Sequence, residues 1–148
     1  MEENFISTHR VIKAIEKQKP DIVHVHCINC YCINIYRLLY YLGSNGIKTV
    51  ITHHAEFLYT GNCPHAYSCN KWQKSNGCFD CNNLEEATGT RIIDRTHISW
   101  LKMKKAFDSF QNLTLRDPSM SDFFLQLLLR LIRKLHHQYH LHMQQVLL

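Results

Sequence analysis

Residues 22–52 read IVHVHCINCYCINIYRLLYYLGSNGIKTVIT, and this stretch decides the fold. Ile22-Val23-His24-Val25-His26 is short and rich in β-branched residues, as a strand is. Residues 31–42 are apolar enough for a helix and run into Gly43-Ser44-Asn45-Gly46, a cluster that ends helices and builds turns. Lys48-Thr49-Val50-Ile51-Thr52 is a second β-branched run. Strand, crossover helix and strand in so few residues predict parallel pairing with a right-handed crossover, and hence an α/β fold. The loops at the carboxyl ends of such strands share one rim, where ligands of open sheets bind. Side chains alternate along a strand, so His24 and His26 share one face, while His53 and His54 end the second strand.

Working outward, Ser7 is placed to cap a helix carrying Val11, Ile12 and Ile15, which Pro20 stops. After Thr52 the periodicity disappears from 53 to 94. A loop of that length inside a compact domain is either functional or held by something other than a core. From Arg95 a basic helix repeats Trp100, Met103, Phe107 and Phe110 at i, i+3, i+7 and i+10, a core face. Asn112 to Leu115 reads as a third strand. Residues 121–148 read as a Leu-rich helix carrying Phe124, Leu127, Leu128, Leu131, Ile132 and Leu135.

A chain of 148 residues, 45% apolar and 20% charged, is sized and composed for one globular core. The net charge of +5 divides as +2 over 1–52, +1 over 53–111 and +2 over 112–148. A nucleic-acid binder gathers its surplus on one segment or face, so this spread argues against that class. The first twenty residues lack the apolar core of a signal peptide, and no run of apolar residues is long enough to span a bilayer. A cytoplasmic protein is expected, and in a reducing compartment its seven cysteines are more suited to metal binding, catalysis or packing than to disulfides.

Cys63, Cys69, Cys78 and Cys81 stand as C-x5-C-x8-C-x2-C in the aperiodic segment. Four thiolates suit the tetrahedral preference of Zn(II), and the two-residue gap of Cys78-Phe79-Asp80-Cys81 lets neighbouring thiolates reach one ion. Such a site has no open position and is structural. The alternatives are four unrelated reduced cysteines or two disulfides. Cys27-Ile28-Asn29-Cys30 lies between a strand and a helix, where thioredoxin-like folds carry a redox pair, although no Trp precedes it and no Pro lies within it. Among the histidines, one of His53 and His54 is expected to face the cleft while the other packs. His136 and His140 have the i, i+4 spacing of a chelating pair, which is also that of a solvated helix face.

Several segments in order resemble the amino-terminal part of bacterial family 4 glycosyltransferases, which have the GT-B fold. Lys19-Pro20-Asp21-Ile22-Val23-His24-Val25-His26 is similar to that family's K-P-D-I-[IV]-H-x-H segment. The run from Thr52 through His54, Ala55, Glu56, Tyr59, Thr60 and Gly61 to Cys63-Pro64 is similar to its strand end and aromatic-T-G-x-C loop. Cys69-Asn70-Lys71-Trp72, Gly77-Cys78 and Cys81 resemble a branch of the family engaged in polysaccharide synthesis. Asp94-Arg95-Thr96 and Asn112-Leu113-Thr114 resemble the elements that follow.

The resemblance implies a partial Rossmann-like acceptor domain over residues 1–115, including the Cys-rich loop 53–94. It further implies transfer of a sugar from a nucleotide-diphosphate donor to a glycan or lipid-linked acceptor in envelope or exopolysaccharide assembly. Peripheral association with the inner face of the cytoplasmic membrane belongs to the same expectation. His54 matches the family histidine that touches the donor sugar from the acceptor domain, and Glu56 and Tyr59 are candidate acceptor contacts. Ala55 stands where many relatives have Asp. The family's first strand, its donor domain and its diphosphate clamp have no counterpart in these residues, so the chain is expected to be inactive alone. Residues 116–148 resemble nothing in the family and are expected to be a divergent helical tail produced by frameshift or truncation. Two other classes are a zinc-stabilised interaction module, in which Lys71, Trp72 and Lys74 meet a polyanion or protein, and a thiol oxidoreductase using Cys27 and Cys30.

Overall fold

Three parallel strands carry the fold: β1 (Val23–His26), β2 (Thr49–Thr52) and β3 (Leu113–Arg116), in the spatial order β1-β2-β3. In the computed structural model, the described residues are 4–26, 32–52, 54–60, 63–66, 69–73, 77–85 and 89–116. They include four helices, α1 (Phe5–Gln18), α2 (Ile35–Ser44), α3 (Phe57–Thr60) and α4 (Thr96–Asp108), with a 3-10 turn at Lys71–Gln73. The protein is therefore α/β with a small parallel sheet. No helix among the described residues is long and apolar enough to cross a membrane. Cys27, Cys30, His53, Lys74, His136, His140 and the expected tail helix lie outside the described residues.

The register aligns Val25, Ile51 and Leu115 in one row and His26, Thr52 and Arg116 in the next. The first row is core, with 5%, 0% and 5% of the surface of its members exposed. Thr49 is buried on the same face, whereas His24, His26 and Thr114 on the other face are exposed. Parallel sheets are normally covered on both faces and built of continuous apolar runs. Here the alternation of His with Val in β1 puts His24 and His26 on the other face, beside half-buried Val50 and Thr52.

Helix α2 begins four residues later than the apolar run implies, because Asn34 caps it: its side chain accepts the Arg37 N–H at 3.0 Å. The helix also continues through Gly43 instead of stopping there. A Cβ at Gly43 would stand 2.1 Å from Ser109 Oγ and 2.9 Å from the Ser109 carbonyl carbon, so glycine permits the chain after α4 to cross α2 closely. Ile35, Leu39 and Leu42 are fully enclosed, and burial of side chains this size contributes about 1.5–3 kcal/mol each. Helix α1 starts at Phe5, so Ser7 lies in its first turn and does not cap it, and it ends with Lys19 at φ 46° just before Pro20.

Thr8 links α1 to α2. Its hydroxyl donates to the Asn4 carbonyl at 2.7 Å and accepts the Asn34 N–H at 2.7 Å, with none of Thr8 exposed. Thr8→Val keeps the volume and removes that acceptor at a buried N–H, and is expected to cost about 1–3 kcal/mol. Urea unfolding followed by far-UV circular dichroism measures it; an unchanged midpoint would show that the contact carries no net stability.

The described residues form two compact units, residues 4–54 with 105–116, and Ala55–Lys104. Helix α4 belongs to the second unit up to Lys104 and to the first from Lys105. Its expected core positions Trp100, Met103 and Phe107 are buried, and Phe110, expected on the same helical face, is buried two residues beyond the helix end.

Candidate functional site

In the first unit, the sheet face carrying His24 and His26 ends in a histidine cluster at the carboxyl side of β1 and β2. His26 Nε2 and His54 Nε2 are 2.9 Å apart, with ring centroids at 4.6 Å and planes at 86°. His24 Nε2 stands 2.7 Å from Thr52 Oγ1, and its ring lies 5.7 Å from that of His26. A contact between two Nε2 atoms needs one ring to donate and the other to accept, so His26 and His54 share a single proton along that line. Each keeps its Nδ1 for another partner. All three rings are exposed, so the strand-end histidine anticipated from sequence reaches solvent in company with a histidine from the neighbouring strand. The pairing of His26 with His54 was not readable in advance, because it depends on inter-strand register.

In the second unit, Cys63, Cys69, Cys78 and Cys81 line one cavity of about 290 Å³, together with His65 and Lys71. All four are free thiols. Burial, then the neighbouring sulfurs of Cys81 and Cys69, push the Cys63 thiol up to about 11. Burial, then Cys63, Cys69 and Cys81, push the Cys78 thiol up to about 12. The Cys78 thiol donates to the Thr60 carbonyl at 3.3 Å. Among the described residues, no group of three or more His, Cys, Asp or Glu side chains is arranged to hold a metal ion as it stands.

The turn between Cys78 and Cys81 is fixed from several sides. Asp80 has φ 47°. The Asp94 carboxylate accepts the Cys81 N–H at 2.9 Å, and the Cys78 carbonyl stands 3.2 Å from His97 Nδ1. Lys71 Nζ donates to the Asp80 carbonyl. Burial alone would raise the Asp94 carboxyl; the hydrogen bonds it accepts from the Thr96 hydroxyl and N–H and from the Cys81 and Asp80 N–H groups outweigh that and hold it below its usual range. The same carboxylate opens α4, an acid at a helix N-terminus. These holding roles of Asp94, Lys71 and His97 escaped the sequence reading, although an Asp two residues before a helix is a visible capping signal.

The Glu56 and Tyr59 side chains both make contacts within the loop. The Glu56 carboxylate accepts the Ala66 N–H, and its own N–H donates to the Pro64 carbonyl at 2.8 Å. The Tyr59 ring lies 4.5 Å from that of Trp72, whose Nε1 donates to the Cys69 carbonyl at 3.1 Å. Lys71 and Trp72, the residues suggested for a polyanion, thus also have partners inside the loop.

No family model matches the chain, and no similar curated protein or solved structure is found.

Proposed function

We propose that this chain is the acceptor-binding side of a two-lobed glycosyltransferase of the GT-B type. It would act on a glycan or lipid-linked sugar in the cytoplasm, at the inner face of the membrane when the acceptor is lipid-linked. The observation that carries this reading is the His26–His54 contact at the carboxyl ends of adjacent parallel strands, where open α/β sheets bind ligands. The ordered resemblance running from Lys19 to Thr114 supports the choice of family. Sugar transfer builds positive charge on the sugar ring while a diphosphate departs. In this reading a second, nucleotide-binding lobe supplies the clamp for the diphosphate. In this reading the histidine pair supplies directional hydrogen bonds to sugar hydroxyls, those of the acceptor and, through His54, those of the donor sugar once the second lobe presents it, using the ring nitrogens left over from the mutual contact. Glu56 and Tyr59 serve by shaping the loop after β2.

Calorimetric titration with a short envelope oligosaccharide, and separately with UDP-glucose, tests the proposal. The oligosaccharide is expected to bind, His54→Ala to weaken it about tenfold, the equivalent of ~1.4 kcal/mol, and UDP-glucose to be neither bound nor hydrolysed. Hydrolysis of UDP-glucose by the chain alone would overturn the assignment to the acceptor side.

A further inference from the structure

We infer that Cys63, Cys69, Cys78 and Cys81 form a structural site for one thiophilic divalent cation, of which Zn(II) is the natural occupant. The inference does not depend on the glycosyltransferase reading. It begins from where the second unit places its cysteines: all four are unpaired and line one cavity, and a metal is a staple that their chemistry offers.

The donors suit the ion. Four sulfurs match the tetrahedral all-thiolate sites of structural zinc. Cys78 and Cys81 are separated by two residues, and the left-handed Asp80 between them bends the turn so that both sulfurs reach the same cavity. Backbone groups of that turn are already tied to Asp94, His97 and Lys71, the kind of outer support that orients ligands around a metal. Binding breaks four S–H bonds, releases four protons to solvent and forms four metal–sulfur bonds. The resulting centre carries two net negative charges, which the Lys71 ammonium on the cavity wall partly offsets. Among the described residues no group is arranged to hold a metal as the chain stands, so the ion must bring the four sulfurs to a common point. It has no open coordination position, so its role is to hold the segment from Cys63 to Cys81.

The full 148-residue chain, purified without chelators, is expected to contain about one zinc per molecule by elemental analysis. Co(II) in its place should give intense sulfur-to-metal charge-transfer absorption and tetrahedral visible bands. Alkylation followed by peptide mass mapping should show Cys63, Cys69, Cys78 and Cys81 protected by one equivalent of zinc, with Cys32 modified at the same rate with or without it. Cys78→Ser and Cys81→Ser should each lose the metal and open residues 60–85 to limited proteolysis while the first unit keeps its far-UV signal. Should either variant fail to fold, the alkylation map of the unaltered chain decides. Equal modification of the four cysteines with and without zinc, or disulfides among them in the reduced protein, would overturn the inference.

Discussion

Replacing Gly77 with alanine is expected to destabilise the second unit by about 3 kcal/mol, through left-handed backbone strain of roughly 1–2 kcal/mol and overpacking of roughly 1–3 kcal/mol. Gly77 is buried at φ 67°, a conformation that a Cβ disfavours. That Cβ would also stand 2.2 Å from Trp100 Cδ2 and 2.4 Å from Cε3, inside the indole ring itself. Trp100 is 6% exposed and has little room to yield. Both tryptophans of the chain, Trp72 and Trp100, fall within Ala55–Lys104. Tryptophan emission during denaturant unfolding therefore follows this unit specifically. The Gly77→Ala midpoint should move to lower denaturant in emission and less in far-UV circular dichroism, to which α1 and α2 of the first unit also contribute. Coincident shifts in both signals would show that the two units unfold as one.

Ile51→Ala is expected to act on the other side of that division, at a cost of about 3 kcal/mol, within the range found when a large buried aliphatic side chain is cut to alanine. Ile51 is fully enclosed, and β2 is the central strand, paired in register with Val25 on one side and Leu115 on the other. Truncation there leaves a void in the row where all three strands meet. Far-UV circular dichroism should report the loss first, with tryptophan emission lagging. A change below about 1 kcal/mol would mean that the sheet relaxes around the void, as the dependence on residual cavity volume allows.

Much of the first unit was legible in residues 22–52 because β-branched runs flanking an apolar helix leave few ways to fold. The limits of that legibility are local. Apolarity from Tyr31 onward does not distinguish a helix from the chain leading into it, and the start of α2 is set by the Asn34 cap. Gly43 reads as a stop when only the sequence is considered. Its role becomes clear once Ser109 and Phe110 are seen crossing it. Strand alternation placed His24 and His26 together, but which residue lies opposite them is a matter of register, so the contacts with Thr52 and His54 had no sequence signature. In the cysteine loop the spacing suggested one shared ion; the four cysteines do line one cavity, but as the chain stands they are not arranged to hold a metal. The hydrogen bonds that fix the turn come from Lys71, Asp94 and His97, residues near and far in the chain, and ordinary polar residues give no periodic signal. Glu56 and Tyr59 illustrate the same limit: their contacts with Ala66 and Trp72 depend on how an aperiodic segment folds back on itself.

The account's central claim is that the carboxyl edge of β1 and β2, with its paired histidines, receives a saccharide. Imidazole ¹⁵N resonances of His26 and His54, followed while the oligosaccharide acceptor is added to the full chain, test this most directly. The account predicts that both histidines shift together and saturate with one binding constant, and that UDP-glucose leaves them unmoved. Histidine signals that ignore the saccharide would contradict it.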